Sequence, residues 1–148
     1  MSRVAIVTGG TRGIGAAISI GLKNSGCSVA ATYAGNDDAA KAFSDANGIA
    51  VYKFDVADFD ACQASVAQIV ADLGPVDILV NNAGITRDGT MHRMTDEQWQ
   101  SVIDTNLGSF FNMSRDVTEG KRDCRFGRIV HIGTYKGQTG EDGQGHSP

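Results

Sequence analysis

The regular alternation of short apolar runs with amphipathic segments is the feature that most constrains how this chain can fold. Short apolar runs predict strands, and apolar residues that recur with the helical period predict helices. Strands that alternate with helices predict an α/β fold with a doubly wound parallel sheet, which binds ligands at the carboxyl ends of its strands. Strands are predicted at residues 3–8, 28–33, 49–54, 76–80 and 128–132, and helices at residues 14–25, 39–46, 58–73 and from Thr95 through Phe111.

Local signals mark the ends of several predicted helices. Asp58 stands at the start of the third helix, and Gly74 and Pro75 end it. Thr95 and Gln98 have the spacing of a capping box at the start of the long fourth helix. The first helix is expected to bury one apolar stripe, formed by Ile14, Ala17, Ile18 and Leu22.

Charge and residue usage argue against several classes of partner. The net charge of -4, without a basic stripe, argues against nucleic acid. The three cysteines and three histidines lack paired-ligand spacing, so we expect no metal site and reduced thiols in a cytoplasmic protein. No apolar stretch has the length of a signal-peptide core or a membrane span, so no membrane partner is expected. Residues 1–136 are predicted to form one domain, and the glycine-rich residues 137–148 a loop or disordered tail.

A glycine-rich loop, Thr8-Gly9-Gly10-Thr11-Arg12-Gly13-Ile14-Gly15, joins the first predicted strand to the first predicted helix. Glycines let a backbone approach a pyrophosphate closely, and the helix start behind them offers free N–H groups and a positive dipole end. A tight turn without a ligand is the alternative interpretation. The position between a strand and an amphipathic helix favours the phosphate site.

Four motifs in order resemble the short-chain dehydrogenase/reductase family. They are the TGxxxGxG pattern of the glycine loop, Asp55-Val56 after the third strand, Asn81-Asn82-Ala83-Gly84 after the fourth strand, and Asn106 in the fourth helix. The resemblance implies a Rossmann-type sheet that holds a nicotinamide dinucleotide, with Asp55 near the adenine and Asn106 in the catalytic group. The implied cofactor-binding residues are Gly9, Gly10, Thr11, Arg12, Gly13, Ile14, Gly15, Tyr33, Asp55, Val56, Asn82, Ala83 and Gly84.

Within that family, longer runs are similar to the acetoacetyl-CoA reductases of polyhydroxybutyrate synthesis. These runs are NNAGITRD at residues 81–88, TGGTRGIG at 8–15, YAGNDD at 33–38 and FGRIV at 126–130. The resemblance implies reduction of a 3-oxoacyl thioester of coenzyme A, and the 3-oxoacyl-acyl-carrier-protein reductases are the alternative. Asp88 and Gln144 are then candidate substrate contacts, although Asp88 beside Gly89 also suits a simple turn.

The last part of the chain departs from the family pattern. The family's catalytic serine corresponds to Thr134, which could still hydrogen-bond a substrate oxygen, but its catalytic tyrosine corresponds to Ser147. The family's lysine would fall beyond Pro148, so we expect a Rossmann-type sheet that is incomplete at the C-terminus and a chain with little activity. A truncated or frame-shifted copy of a longer reductase is the first account, and a non-catalytic nucleotide-binding or decoy subunit is the second. A non-functional translation product is the third.

The residues after the second strand predict NADP(H) rather than NAD(H). Enzymes that prefer NAD place an acid at the end of this strand to bond the ribose, whereas here it ends Thr32-Tyr33-Ala34. Arg12 in the glycine loop can pair with a 2′-phosphate. Asp37 has nearly the usual offset of that acid, but we expect it past the tip of the strand.

The fourth helix predicts self-association. Its apolar residues span more than one helical stripe, so some of them should remain exposed. The fifth strand is expected to be an open edge, and the family is homo-oligomeric, so we expect the chain to associate with itself. The apolar residues concerned are Val102, Ile103, Phe110, Phe111 and Met113.

Overall fold

The computed structural model describes residues 2–87, 89–121 and 126–133. In this part of the chain, five parallel strands form one sheet in the order β3-β2-β1-β4-β5. The order reverses between the two neighbours β1 and β4, as in a doubly wound sheet, so the predicted fold class is confirmed. The strands are β1 (Val4–Val7), β2 (Ser28–Tyr33), β3 (Ala50–Lys53), β4 (Val76–Asn81) and β5 (Arg128–His131).

Helices cover both faces of the sheet. They are α1 (Gly13–Asn24), α2 (Asp37–Asn47), α3 (Phe59–Leu73), α4 (Asp96–Ile103) and α5 (Ser109–Lys121). One core lies between the sheet and α3 with α5, where Ile69 and Met113 pack against Ile6. The other core lies between the sheet and α1 with α2, around Phe43 and Val7. Successive residues of β1 therefore point to opposite faces of the sheet, as strand geometry requires.

The predicted helix starts are confirmed by their caps. The Asp58 carboxylate accepts a hydrogen bond from the Ala61 amide at 3.0 Å. Thr95 and Gln98 form the complete capping box, with bonds of 3.2 and 2.9 Å in the two directions. Helix α2 begins two residues earlier than predicted, because the Asn36 side chain caps it.

The predicted apolar stripe of α1 is wrong in part. Ile14 is 67% exposed and Ala17 is also exposed, whereas Gly15 and Ser19 are fully buried against the sheet. Ser19 can be buried because its hydroxyl donates to the Gly10 carbonyl at 2.9 Å. The buried face of the helix therefore includes a polar residue that the apolar pattern did not indicate.

The predicted long fourth helix is confirmed, but its hydrogen bonding is not of the α type throughout. A π-turn at Asp104–Gly108 lies between α4 and α5, and the backbone stays helical at Ile103 and Ser109 on either side of it. Such turns occur often at functional sites, and this one holds Asn106. The expected exposure of some apolar side chains is confirmed, since Phe111 is exposed while Val102 and Met113 are buried.

Residues 2–87, 89–121 and 126–133 lack two features of other protein classes. No helix there is long and apolar enough to cross a membrane. No group of three or more His, Cys, Asp or Glu side chains in the same residues could hold a metal ion.

Candidate functional site

The loop after β1 and the segment after β4 are locked together where the strand order reverses. The Thr8 hydroxyl oxygen accepts hydrogen bonds from the backbone amides of Asn82 and Ala83 at 2.9 and 3.0 Å. In the other direction, the Asn82 side-chain amide donates to the carbonyls of Thr8 and Gly9 at 3.1 and 3.2 Å. Side chains from both segments thus fix the relative position of the two backbones.

Glycines are required in the loop because the backbones approach so closely. Gly9 has a φ of +60°, and a Cβ atom there would lie 3.1 Å from the Ala83 Cα. A Cβ atom on Gly15 would lie 2.0 Å from the Gly9 carbonyl oxygen and 2.6 Å from the Asn82 amide nitrogen. Neither position can accept a side chain without movement of the loop.

The amino terminus of α1 is open for an anion. Arg12 is the N-cap residue, and in the described chain no side chain caps this end and its first turn holds no acidic residue. The first intrahelical bond runs from the Ala16 amide to the Arg12 carbonyl, so the amides of Gly13, Ile14 and Gly15 lie ahead of the helical ladder. These donors, the helix dipole and the Arg12 guanidinium all favour negative charge at this point.

A cleft of about 430 Å³ opens between the loop and the segment after β4. Its size lies in the range of small-molecule sites. Arginine side chains contribute at two positions, one in each segment. The lining residues are Arg12, Asn82, Gly84, Ile85, Thr86 and Arg87.

Asn106 fixes the backbone of Ile85, one of the residues that line this cleft. Its side-chain oxygen accepts from the Ile85 amide at 2.8 Å, and its side-chain nitrogen donates to the Ile85 carbonyl at 2.9 Å. A Cβ atom on Gly84 would lie 3.2 Å from the same side-chain oxygen. The predicted site residues Gly9 to Gly15, Asn82 to Gly84 and Asn106 are therefore brought together.

The remaining predicted residues lie along the same edge of the sheet or outside the described chain. Tyr33 ends β2, and Asp55 and Val56 follow β3. Asp55 is exposed and its carboxylate accepts from the Ala57 amide at 2.9 Å, while Val56 is buried. Asp88, Thr134 and Gln144 lie outside the described residues.

An ion pair joined by a tyrosine lies at the tips of β2 and β3. The Lys53 ammonium lies 3.0 Å from one Asp37 carboxylate oxygen, and the Tyr33 hydroxyl donates to the other at 3.1 Å. The hydrogen bond from Lys53, and then that from Tyr33, lowers the pKa of Asp37 below its ordinary value. Asp37 is the first residue of α2, past the tip of β2 as predicted.

Three residues of the site's framework were not predicted. Thr8 was recognised only as part of the glycine motif, although its hydroxyl carries the lock between the two segments. A polar Ser19 within an apolar helix pattern was the available signal for the bond to Gly10. Asn112 gave no local signal, because its partner, Val56, is distant in sequence.

Comparison with known proteins agrees with this arrangement. A family model for short chain dehydrogenases matches residues 3–146. The chain is similar to acetoacetyl-CoA reductases from Shinella zoogloeoides, at 61% identity over 144 residues, and from Rhizobium meliloti (strain 1021), at 60% over 144 residues. It is 39% identical over 149 residues to a 3-oxoacyl-(acyl-carrier-protein) reductase FabG from Staphylococcus aureus. Each match covers 97% of this chain, which spans 60% of the length of the first two relatives and 61% of the third. The chain belongs to the short chain dehydrogenase family.

Proposed function

We propose that this chain binds a nicotinamide dinucleotide with its pyrophosphate at the amino terminus of α1. The observation that carries the proposal is the pair of hydrogen bonds between Thr8 and Asn82. These bonds hold the glycine loop against the segment after β4, at the point where the strand order reverses. The donors ahead of α1 and the absence of side-chain bulk at Gly9 and Gly15 suit a phosphate group.

The two halves of the dinucleotide have different neighbours in this proposal. In doubly wound sheets, the residue after the second strand contacts the adenosine ribose, so the adenosine half extends over β2 and β3 toward Tyr33, Asp55 and Val56. The nicotinamide half then extends toward the cleft that Ile85 lines and Asn106 braces.

We propose NADP(H) as the preferred cofactor. Arg12, the N-cap residue of α1, can form a charge-assisted pair with a 2′-phosphate. Each Asp37 carboxylate oxygen already has one partner, Lys53 or Tyr33. The nearby Lys53 ammonium also offsets the negative charge of Asp37, which favours a 2′-phosphate over a bare ribose.

For the whole protein we propose NADPH-dependent reduction of a 3-oxoacyl thioester, acetoacetyl-CoA in the first instance. When bound, the reduced nicotinamide supplies the hydride to the 3-oxo carbon. The carbonyl oxygen then gains negative charge and needs a hydrogen-bond donor, a role that we assign to Thr134 by family resemblance. Asp88 and Gln144 would contact the substrate. The names of the relatives at about 60% identity support coenzyme A over an acyl carrier protein as the thioester carrier.

Titration of the 148-residue chain with NADPH tests the binding proposal. We expect saturable binding by the chain and its loss in Gly15→Val, because the new side chain would collide with the Gly9 carbonyl. Gly21→Ala is the matched control, since a Cβ atom on this exposed helical glycine meets nothing within 4 Å. A chain that binds no NADPH, or a Gly15→Val variant that binds it normally, would overturn the proposal.

A further inference from the structure

A single face of α5 holds the stretch that joins β3 to α3. The buried side-chain amide of Asn112 donates to the Val56 carbonyl at 3.0 Å. One helical turn later, the Arg115 guanidinium lies over the ring of Phe59, 4.8 Å from its centroid. Residues three apart on a helix share a face, so the two contacts act together on residues 56–59.

The Val56 carbonyl is fixed from inside the protein, and Asp55 is left at the surface. The Cys62 thiol also approaches the same carbonyl, with its sulfur 3.4 Å away. The Asp55 carboxylate bonds the Ala57 amide, and the Asp55 carbonyl accepts from the Asp58 amide at 3.1 Å. Local bonds therefore set the turn, whereas Asn112 anchors it to a helix that is distant in sequence.

This stretch lies on the adenosine side of the candidate site. It follows β3, two strands from β1 in the sheet order. Neighbouring strands are about 4.8 Å apart, so the stretch lies roughly 10 Å from the glycine loop across the sheet. That is the direction in which the adenosine half extends in a doubly wound sheet.

The same helical run also supports the opposite end of the site. Asn106, in the π-turn before α5, bonds the amide and the carbonyl of Ile85 after β4. Two asparagines that are six positions apart thus hold the backbone segments at the two ends of the proposed cofactor.

We propose that Asn112 is a positioning residue that fixes residues 54–58 as the wall of an adenine subsite. The inference rests on the proposed function. Asn112 itself does not touch the ligand; it acts through the Val56 carbonyl, and Arg115 supports it through Phe59.

The test compares two ligands that each represent one half of the cofactor. Adenosine 2′,5′-bisphosphate probes the adenosine half, and reduced nicotinamide mononucleotide probes the other half. In Asn112→Leu, which keeps the branching of the side chain and removes the donor, we expect adenosine 2′,5′-bisphosphate to bind more weakly by up to about tenfold, the most that one typical hydrogen bond could contribute through the subsite wall. Binding of the mononucleotide should remain unchanged. Calorimetric titration of both ligands gives the two dissociation constants.

Two further variants keep the test decisive. Asn47→Leu is the matched control, because the Asn47 amide also donates to a backbone carbonyl, that of Phe43 at 2.9 Å, but on α2. Asn112→Ser retains a short donor and should restore part of the affinity, and it replaces Asn112→Leu if that variant does not fold.

Each outcome decides the proposal. Unchanged adenosine 2′,5′-bisphosphate affinity in the folded Asn112 variants would overturn it. An equal loss of both ligands would assign Asn112 a general structural role, which also overturns it. Failure of the unsubstituted chain to bind either ligand would instead overturn the proposed function, and this inference with it.

Discussion

Lys53 and Asp37 form an ion pair at the tips of two neighbouring strands, with 3.0 Å between the ammonium nitrogen and the carboxylate oxygen. Lys53 lies directly opposite Tyr33 in the register of β2 and β3, and the Tyr33 hydroxyl bonds the second Asp37 oxygen. Exposed ion pairs contribute little to the free energy of unfolding. We therefore expect this pair to affect ligand binding, through the local charge at the cofactor site. With Lys53 in place, the negative charge of Asp37 beside the proposed ribose position is offset by a positive one.

Replacing Lys53 should shift the cofactor preference. We expect the unsubstituted chain to bind NADPH more tightly than NADH. In Lys53→Met, Asp37 keeps its hydrogen bond from Tyr33 but loses its cation, so its carboxylate repels a 2′-phosphate and its second oxygen can accept bonds from ribose hydroxyls. The ratio of the two affinities should fall on the order of tenfold, which corresponds to about 1.4 kcal/mol. Calorimetric titration with both dinucleotides measures this ratio.

The control for that variant is Lys41→Met. Lys41 forms a similar exposed pair with Asp45, with 2.7 Å between the charged atoms, on the same helix as Asp37. Its removal should leave the ratio unchanged. NADH binding as tight as NADPH binding in the unsubstituted chain would contradict the proposed preference itself.

Removing the Thr8 hydroxyl should weaken both the fold and the site. Thr8→Val keeps the shape of the side chain but leaves the amides of Asn82 and Ala83 without their acceptor. An unsatisfied buried donor costs about 1–3 kcal/mol, so we expect a clear loss of unfolding free energy in urea and weaker NADPH binding. Thr118→Val is the control, because the exposed Thr118 hydroxyl bonds the Ser114 carbonyl within its own helix. Equal stability of the two variants would argue against the lock between the loop and the segment after β4.

Alkaline pH should destabilise the chain through Cys62. Burial, and then the nearby Asp116 carboxylate, raises the pKa of the Cys62 thiol to about 12. An unfolded thiol ionises with a pKa of about 8.5, so above this pH the unfolded state loses a proton that the folded state keeps. Stability from the protonated thiol is therefore complete below the unfolded pKa and is lost as pH rises toward the folded one.

The measurement is the unfolding free energy between pH 8 and pH 10 for the chain and for Cys62→Ala. The variant is expected to be less stable at both pH values, because it leaves a cavity, but to show a shallower decline with pH. The partly exposed Cys27 should react with iodoacetamide in the folded state, whereas Cys62 should react only on unfolding. Parallel pH profiles for the two proteins would refute the role assigned to Cys62.

Catalysis by the 148-residue chain should be separable from cofactor binding. By family resemblance, we expect Ser147 to stand where the family has its catalytic tyrosine, and serine is a far weaker acid than tyrosine. General acid catalysis contributes about 10²–10⁴-fold, so we expect acetoacetyl-CoA reduction at no more than a trace rate. The assay follows NADPH oxidation in the presence of acetoacetyl-CoA. Turnover at per-second rates would require a proton donor other than those proposed.

Local chemistry explains which parts of the structure could be predicted from the sequence. The caps at Asp58 and Thr95 are bonds between residues three positions apart, so a short motif contains both partners. The bond from Asn112 to Val56 joins residues 56 positions apart. Hydrophobic periodicity and short motifs contain no information about a bond between such distant residues. The motif containing Asn106 predicted a role for this residue, but the contacts with Ile85 became visible only in the structure.

Contacts between distant residues also explain what periodicity missed in α1 and in the fourth helix. Hydrophobic periodicity favoured a buried Ile14, but the buried face of α1 includes Ser19, whose hydroxyl donates to the Gly10 carbonyl. Periodicity correctly predicted a helix through Asn106. It gave no sign of the π-turn within that helix, where the Asn106 side chain bonds the backbone of Ile85.

Self-association should depend on the exposed apolar side chains around the π-turn. Phe111 is 64% exposed and Leu107 is 60% exposed, and within the described chain β5 lies at the edge of the sheet. Apolar surface and an open strand edge both favour contact with a second copy. We expect light scattering at micromolar concentration to report species larger than a monomer, with binding of a hydrophobic dye.

Substitutions that introduce one charge should distinguish association through this surface from nonspecific aggregation. Phe111→Lys is expected to shift the distribution toward monomer, because a lysine at the contact would be costly to desolvate. Met91→Lys is the control, since Met91 is even more exposed, at 72%, but lies in the short 3-10 turn before α4. An equal effect of both substitutions would indicate nonspecific aggregation. A monomeric, dye-negative chain would show that the surface around Leu107 and Phe111 does not drive association.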